Sequence, residues 1–305
     1  MYIPELSFKS LFGLFQAFPT EESCIKYLEK HRWKNGIPVS PYDPTSTVYN
    51  RGDGMYRCKN TGKNFNVRVG TLFESSKVPL RKWFIAIYLI TSHKKGISSI
   101  QLSKDLEVTQ KTAWFMNHRI RECFNSKEKL SGEIELDETF VGGKNKNRHW
   151  DKKVKNSQGR SFKDKVPVMG MLQRNGKVVC KVVKDTSYKS LTLPILQTVK
   201  RGSTLFSDEW CGYNLVDKLY EHYIIDHSRK QYVNGNVYTN TIEGFWGIMK
   251  RGLIGIYNHT DRKHLQRYAN EFSFRYNTRK SSEVERFNLL LCNSNHRIKY
   301  QKLTV

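Results

Sequence analysis

The sequence predicts an α/β fold in which a small β-ribbon and a helix-turn-helix region precede the α/β part. Residues 37–78 are rich in Gly, Asn, Pro, Thr and Val, and turns separate short strand-like stretches. From Leu80 onward the apolar residues recur with the period of a helix. Strand-like alternation begins at Glu133, and strands and helices then follow one another.

The charge of the chain predicts a polyanionic partner. The 305 residues include 52 Lys and Arg against 28 Asp and Glu, a formal net charge of +24. Residues 1–130 and 131–305 share this excess, so it is not a detachable tail. Double-stranded DNA is the partner we expect, and acidic small proteins and most small-metabolite enzymes are disfavoured classes. A cationic surface that only confers solubility is the weaker alternative.

We also expect a cytoplasmic protein, nucleoid-associated and bacterial, with no membrane partner, and the composition supports the intracellular part of this expectation. No stretch reaches the roughly 18 apolar residues of a membrane span. The apolar run Leu11–Phe18 lacks a basic leader and a cleavage site, so a signal peptide is not expected. The six cysteines form no Cys-x-x-Cys pair, which indicates reduced thiols.

The N-terminal part is predicted to contain helices followed by the ribbon. Residues 1–36 form helices interrupted near Pro19, with Thr20 as an N-cap for the second. Residues 37–78 form the ribbon, with strands at Met55–Cys58 and Asn64–Val69.

Residues 79–130 are predicted to form a helix-turn-helix DNA-binding region. Ser98–Leu106 is its second helix, and Thr109 caps a third helix that runs to about Phe124. The outward face of that third helix carries five polar residues: Gln110, Lys111, His118, Arg119 and Arg121. A three-helix packing unit that touches no DNA is the alternative, and the charge of the chain favours DNA binding.

Residues 131–280 are predicted to form the α/β domain, and residues 281–305 a C-terminal tail. Glu133–Phe140 alternates as a strand, and Arg174-Asn175-Gly176 is typical of a hairpin turn. Residues 144–165 form a basic loop with almost no apolar content. The remaining predicted elements are strands at Ser203–Asp208 and Tyr223–Asp226 and helices at Tyr188–Lys200, Gly212–Tyr220, Asn240–Arg251 and Asp261–Arg279.

Three acids stand at positions where a basic protein has little reason to keep them. Asp137 and Asp208 end apolar strands, and Glu243 begins a helix with a buried apolar face. If the strands are neighbours and the helix packs across them, the acids converge and could hold two Mg²⁺ or Mn²⁺ ions for in-line phosphoryl transfer. Taken singly, each acid is better explained as a surface or capping residue. Glu138 and Glu209 are second choices, because strand alternation sends them to the opposite face.

Four motifs in order resemble the insertion-sequence DDE transposases of the ISXO-two-like group, and the resemblance extends from about Tyr27 to Arg279. They are Glu-Leu-Asp-Glu-Thr-Phe-Val-Gly-Gly-Lys (135–144), Ser-Asp-Glu-Trp-x-Gly-Tyr (207–213), Asn-Thr-Ile-Glu-Gly-Phe-Trp (240–246) and Phe-Arg-Tyr-Asn-Thr-Arg (274–279). The resemblance implies a ribonuclease-H-like domain, a central mixed sheet flanked by helices. It also implies metal-dependent cutting of transposon ends and joining to target DNA, with Asp137, Asp208 and Glu243 as the catalytic triad.

The resemblance has further consequences for single residues. Lys250, two turns after Glu243, resembles a basic residue that contacts the transposon end, and a solvated lysine is the alternative. Asn240 is an alternative ligand, because related groups can carry Asn at the third acidic position. The ribbon of the family usually has two Cys-x-x-Cys-type zinc knuckles. The corresponding segments here, 40–43 and 58–61, retain one thiol, so zinc is not expected.

The predicted DNA contacts extend over the whole chain. They are Gln110, Lys111, Thr112, His118 and Arg119 in the helix-turn-helix, Arg57, Lys59, Lys63 and Arg68 in the ribbon, Lys144, Lys146, Arg148, Lys152 and Lys153 in the basic loop, Lys250, and Arg262, Lys263, Arg267 and Arg275 in the final helix. A solvated amphipathic helix is the alternative for that final helix.

Synapsis of two transposon ends requires at least a homodimer on DNA. Two rival functions remain open: a non-catalytic or domesticated DNA-binding protein, and a nuclease that cuts without joining.

Overall fold

A computed structural model describes residues 8–33, 36–125, 129–143, 149–155, 161, 165–208, 211–213, 219–225 and 239–304. The chain divides into two compact units, Met1–Phe124 with Lys280–Val305 and Asn125–Arg279. Each unit contains its own sheet, which confirms the predicted α/β class. None of the helices in the described ranges has the length and apolar character needed to cross a membrane.

The elements alternate between helices and strands along the chain. In order they are α1 (Leu11–Ala17), α2 (Glu21–Arg32), β1 (Val48–Gly52), β2 (Met55–Cys58), β3 (Asn64–Asn66), α3 (Leu80–Ser92), α4 (Ser99–Leu106), α5 (Gln110–Glu122), β4 (Glu133–Val141), β5 (Val166–Gln173), β6 (Val178–Val182), α6 (Tyr188–Thr198), β7 (Thr204–Asp208), β8 (Glu221–Ile225), α7 (Asn240–Gly252), α8 (Leu265–Asn277), α9 (Glu283–Cys292) and α10 (Tyr300–Thr304). A π-helical turn, Leu253–Tyr257, and a 3₁₀ turn, Arg262–His264, connect α7 to α8. Most of the predicted helix Gly212–Tyr220 lies outside the described residues, and a 3₁₀ turn at Cys211–Tyr213 covers its start.

The ribbon of the first unit is the antiparallel sheet β1-β2-β3. Hydrogen bonds connect residues 40–43 with residues 58–61, the two segments that correspond to the zinc knuckles of the family. Cys58 is fully buried. Its sulfur interacts with three hydroxyl groups, those of Ser40, Ser46 and Thr61. Burial raises the pKa of the Cys58 thiol, but these hydrogen bonds outweigh burial and lower the pKa to about 6. Asn60 Nδ2 also donates to Asp43 Oδ2 at 2.8 Å. That the ribbon binds no zinc stays a prediction.

The segment predicted as a C-terminal tail, residues 281–305, includes helices α9 and α10, and Phe287, Leu290 and Leu291 of α9 are buried in the first unit. Ser282 and Glu285 form a capping box at the start of α9. Phe287 is fully buried, and its ring centroid lies 5.2 Å from that of Phe84 in α3. The Tyr27 hydroxyl donates to Asn288 Oδ1 at 2.7 Å. The apolar stripe of α9 follows the last recognisable motif and completes a core that begins at the other end of the chain.

The second unit is built on a mixed five-stranded sheet in the order β6-β5-β4-β7-β8. Strands β4, β5 and β6 pair antiparallel, whereas β4 with β7 and β7 with β8 pair parallel. Alternate residues of β4 and β5 enter two separate cores on the two faces of this sheet. One face packs against α6, and the other packs against α7 and α8. This arrangement is compatible with a ribonuclease-H-like domain.

Helix α7 approaches the sheet closely because β5 has a glycine beneath it. Gly170 pairs with Asp137 across the β4–β5 ladder. A Cβ atom at Gly170 would lie 2.5 Å from Trp246 Cζ2 and 2.8 Å from Ile242 Cδ1. The absence of a side chain at Gly170 therefore makes room for the buried face of α7, and the position of that helix depends on it.

We predict that Gly170→Ala destabilises the second unit. The added methyl group would push Trp246 and Ile242 from the sheet, and overpacking of this kind costs about 1–3 kcal/mol. Urea denaturation would measure the free energy of unfolding.

Gly244→Ala is the matched control for this prediction. Gly244 lies in α7, and a Cβ atom placed there would meet nothing within 4 Å among the described residues. That change should be neutral or stabilising by about 0.5–1 kcal/mol, since Ala is the better helix former. Equal stability of Gly170→Ala and the wild type would contradict the packing constraint.

Candidate active site

Two of the predicted acids lie on neighbouring parallel strands. β4 pairs with β7 so that Ile134 faces Leu205 and Glu135 faces Phe206. Continued by two residues, this register places Asp137 beside Asp208, the last residue of β7. Residues at the same register position of a parallel pair lie side by side, so the two carboxylates are neighbours although β4 continues beyond Asp137 to Val141. The site requires neighbouring strands, and the structure meets that condition.

Helix α7 brings the third acid to the same region. Glu243 lies in its first turn and is exposed. One turn later, Trp246 packs on the sheet, and its Nε1 donates a hydrogen bond of 3.0 Å to Asp137 Oδ2. The backbone N–H of Glu138 donates to Asp137 Oδ1 at 2.8 Å. Both oxygens of Asp137 are therefore oriented by the protein.

The three carboxylates interact electrostatically. Burial raises the pKa of Asp137, the negative charge of Asp208 raises it further, and the charge of Glu243 adds a smaller increase. The hydrogen bonds from Glu138 and Trp246 oppose these effects, and the pKa settles at about 7. The fold therefore holds like charges together at a half-buried position.

A fourth carboxylate and a tyrosine border this group. The Tyr213 hydroxyl donates to the Glu138 carboxylate. Burial, the hydrogen-bonded Glu138, and then the charges of Asp137 and Asp208 raise the pKa of Tyr213 well above its usual value. Tyr213 therefore stays a protonated donor close to both aspartates. Strand alternation made Glu138 a second choice and assigned no role to Tyr213, although Tyr213 ends the Ser-Asp-Glu-Trp-x-Gly-Tyr motif. Glu209 lies outside the described residues.

Glu135 is a buried acid near the candidate site that sequence reasoning missed. It is fully buried on the same face of β4 as Asp137. Its Oε2 accepts the backbone N–H of Ile242 at 2.9 Å, and its Oε1 accepts the Thr241 hydroxyl at 3.0 Å. Arg174 Nε donates to the same Oε1 at 3.2 Å. Glu135 therefore joins β4 to the first turn of α7.

The carboxylate donors of this site suit a divalent metal ion chemically, but their arrangement in this structure does not form a metal site. Carboxylate oxygens suit hard divalent cations, and a cation would offset the repulsion that raises the pKa of Asp137. Over the ranges that the structure describes, however, no group of three or more His, Cys, Asp or Glu side chains is arranged to hold a metal ion. The predicted three-carboxylate cage is therefore not assembled in this structure.

The predicted DNA contacts differ widely in exposure. Those that are exposed are Arg57, Lys59, Lys63, Gln110, Lys111, Lys152, Lys153, Lys250, Arg262 and Lys263. Those that are partly buried are Arg68, Thr112, Arg267 and Arg275. Lys144, Lys146 and Arg148 lie outside the described residues, as does most of the predicted basic loop. Asn240, the alternative ligand, is the exposed first residue of α7.

The predicted outward positions of His118, Arg119 and Arg121 on α5 are wrong, because all three residues are buried. The Arg119 guanidinium donates to the carbonyl oxygens of Leu72 at 2.8 Å and Ile298 at 3.0 Å. An arginine fork can satisfy several carbonyls of irregular segments, and this one is used inside the first unit. The predicted inward stripe of the same helix is buried as expected: Ala113, Met116, Ile120 and Cys123.

We predict that Asp137 makes the stability of the metal-free protein depend on pH. Its folded pKa lies above its unfolded pKa of about 3.9, so ionisation opposes folding. This penalty is absent below the unfolded pKa, grows as the pH rises, and is complete above about 7. D137N removes the titration. The free energy of unfolding of D137N minus that of the wild type should therefore rise by about 2–4 kcal/mol between pH 4 and pH 8.

Urea denaturation of both proteins in EDTA at several pH values would measure this difference. The amide of D137N must place an NH₂ group towards a donor, so its absolute stability is not the readout. Added Mg²⁺ should stabilise the wild type at pH 8 and should stabilise D137N much less. A difference that stays constant with pH would show that Asp137 is not held among like charges.

Two comparisons with known proteins agree with this geometry. Residues 129–277, which contain all three acids, match the ISXO2-like transposase domain. The chain is also 28% identical over 253 residues to an uncharacterised protein in transposable element ISH50 of Halobacterium salinarum, an alignment that covers 78% of this chain and 85% of that protein. Both comparisons therefore support the resemblance to ISXO2-like transposases, and the domain match locates it in residues 129–277.

Proposed function

We propose that this protein binds the terminal inverted repeats of a transposon and catalyses metal-dependent DNA strand cleavage and strand transfer at Asp137, Asp208 and Glu243. One observation carries the proposal: the pairing of β4 with β7 sets Asp137 beside Asp208, where burial and then the charges of Asp208 and Glu243 raise the pKa of Asp137. Strained groups of like charge are characteristic of functional sites. In a chain whose residues 129–277 match a transposase domain, the chemistry that this group suits is phosphoryl transfer on DNA.

In this proposal the three acids would hold Mg²⁺ or Mn²⁺, two ions per site. Such ions, when bound, activate an attacking hydroxyl and offset charge on the leaving oxygen. The protein itself orients Asp137 through Trp246 and the Glu138 N–H. Glu243 is exposed, so its side chain can change rotamer towards the aspartates without disturbing the core. Tyr213 donates a hydrogen bond to Glu138, the residue that follows Asp137 in β4.

A basic cavity in the same unit supports DNA binding. It has a volume of about 380 Å³ and is lined by four cationic residues, Lys165, Lys184, Arg262 and Lys263. Two of these, Arg262 and Lys263, are among the predicted contacts. We propose that the cavity receives backbone phosphates, because clustered Lys and Arg side chains are the usual phosphate ligands of DNA-binding proteins.

We further propose that α4 and α5 form the helix-turn-helix that reads the transposon end. Ser98 and Thr109 cap the two helices, and Glu107 adopts a left-handed conformation, with φ of 50°, between them. Gln110 and Lys111 are exposed at the start of α5, where a recognition helix contacts bases. His118 and Arg119 are excluded from this role by their burial. End synapsis would require at least a homodimer, acting on DNA in the cytoplasm.

A non-catalytic DNA-binding role is the second candidate. Its support is that, within the described part of the chain, no three-ligand metal arrangement exists. A protein of this kind would bind transposon ends without cutting them. The nuclease alternative, cleavage without joining, differs only in the product. One assay on duplexes bearing candidate ends separates all three functions.

We predict that D137N, D208N and E243Q each lower the rate of Mg²⁺-dependent strand cleavage by about 10³-fold or more, because each removes a charge worth several kcal/mol in the transition state. The affinity for the transposon end in EDTA should change little. The measurement is single-turnover cleavage of end-containing duplexes, with a plasmid present to capture joined products.

Three results would change the assignment. If D208N cleaves at the wild-type rate, the three acids do not catalyse cleavage. A wild-type protein that binds ends but never cuts them with Mg²⁺ or Mn²⁺ would leave the non-catalytic role. Cleavage without joined products would favour the nuclease.

We predict that Lys184→Ala and Lys263→Ala weaken binding to duplexes of any sequence. If each lysine contacts one phosphate, each change should reduce the slope of log affinity against log salt by about 0.9. Lys200→Ala is the matched control, an exposed lysine of the same unit outside the cavity. Fluorescence anisotropy from low to moderate salt would measure both quantities. Equal slopes for all four proteins would exclude the cavity from the DNA interface.

A further inference from the structure

Helix α7 begins without a cap of its own. Its N-cap residue, Thr239, makes no side-chain hydrogen bond to the first turn. The first N–H groups of a helix have no partner inside the helix and need one elsewhere. Here Glu135, from the neighbouring strand, accepts the N–H of Ile242 at 2.9 Å. A carboxylate at a helix N-terminus is also favoured by the helix dipole.

Glu135 can serve in this way because its charge is matched. It is fully buried, and the Arg174 side chain beside it is only 6% exposed. Arg174 donates to Glu135 at 3.2 Å and lies over the Phe206 ring at 4.0 Å from its centroid. A buried charge pair is costly to separate, so the carboxylate remains where α7 meets the sheet.

The first turn of α7, which Glu135 contacts, is also the turn that carries Glu243. Thr241 and Ile242, which donate to Glu135 from α7, immediately precede Glu243 in that helix. On β4, Glu135 stands two residues before Asp137 on the same face of the strand. One carboxylate therefore fixes the distance between the strand bearing Asp137 and the helix turn bearing Glu243.

We propose that Glu135, paired with Arg174, is a positioning residue for the active site: it holds the first turn of α7 so that Glu243 lies in register with Asp137 and Asp208. Glu135 itself touches neither DNA nor metal in this role. The inference rests on the proposed function, because it matters only if the three acids perform catalysis.

The test compares four variants with the wild type. Glu135→Gln removes the charge that binds Ile242 and Arg174. Thr241→Val is milder and removes only the hydroxyl donor to Glu135. Thr204→Val is its matched control, since Thr204 also donates to a carboxylate, that of Glu221 at 3.2 Å, at the other end of β7. D208N tests the proposed function separately.

Single-turnover cleavage at saturating protein separates misplacement from unfolding. Partial unfolding lowers the amplitude of the reaction, whereas a misplaced Glu243 lowers its rate constant. We expect Glu135→Gln to lower the rate constant by roughly 10²-fold and Thr241→Val by roughly 3–10-fold, since small displacements of catalytic groups have effects of this size. End affinity in EDTA should stay within about twofold of the wild type, because binding does not use this turn. Thr204→Val should match the wild type.

The outcomes separate the two claims. If D208N cleaves like the wild type, the proposed function fails. If D208N is inactive and folded Glu135→Gln keeps the wild-type rate constant, the positioning role fails alone. Should Glu135→Gln not fold, Thr241→Val decides: a rate constant equal to that of Thr204→Val overturns the inference, and a selective loss supports it.

Discussion

Contact between helix α7 and strands β4 and β5 determines where Glu243 lies relative to Asp137 in the second unit. Glu135 holds the first turn of the helix, and Trp246 rests over Gly170 and donates to Asp137. These contacts lie within two helical turns, and each uses a different property: charge, absence of a side chain, and an aromatic N–H donor. Glu243 is exposed, so burial does not fix its side chain. The placement of α7 on the sheet sets the position of Glu243.

The same docking brings negative charge together. β7 supplies Asp208, α7 supplies Glu243, and both raise the pKa of Asp137, which burial has already raised. This happens in a protein that carries 52 Lys and Arg residues. Proton uptake at Asp137 or a bound cation from solution can relieve the repulsion. The site therefore links ionisation, cation binding and stability in one group of side chains.

The sequence predicted what depends on local pattern and missed what depends on distant partners. Asp137 and Asp208 could be found because each follows the apolar residues of a predicted strand. In the structure Asp208 ends β7, whereas Asp137 lies in the middle of β4. Glu135 could not be separated from any polar residue of an alternating strand, because its partners are 39 residues away in Arg174 and 106 away in Thr241. Arg119 was placed outward for the same reason: its carbonyl partners are 47 and 179 residues distant. Periodicity assigns a charged residue to solvent unless a buried partner is known.

Glu135 and Asp137 show how surroundings assign different roles to two acids of one strand. Both point to the face that α7 covers. Glu135 is matched by Arg174 and by donors from the helix, so its charge is satisfied and serves the fold. Asp137 has two hydrogen-bond donors but acidic neighbours, so its charge is only partly satisfied.

These two environments decide which acid can bind a cation. A carboxylate whose charge and hydrogen bonds are already paired binds an added cation weakly, whereas a carboxylate among like charges is stabilised most by a cation. Glu135 and Asp137 could therefore not exchange their roles. A cation at Glu135 would have to displace Arg174, and a partner arginine at Asp137 would neutralise the charge on which the proposed metal site depends.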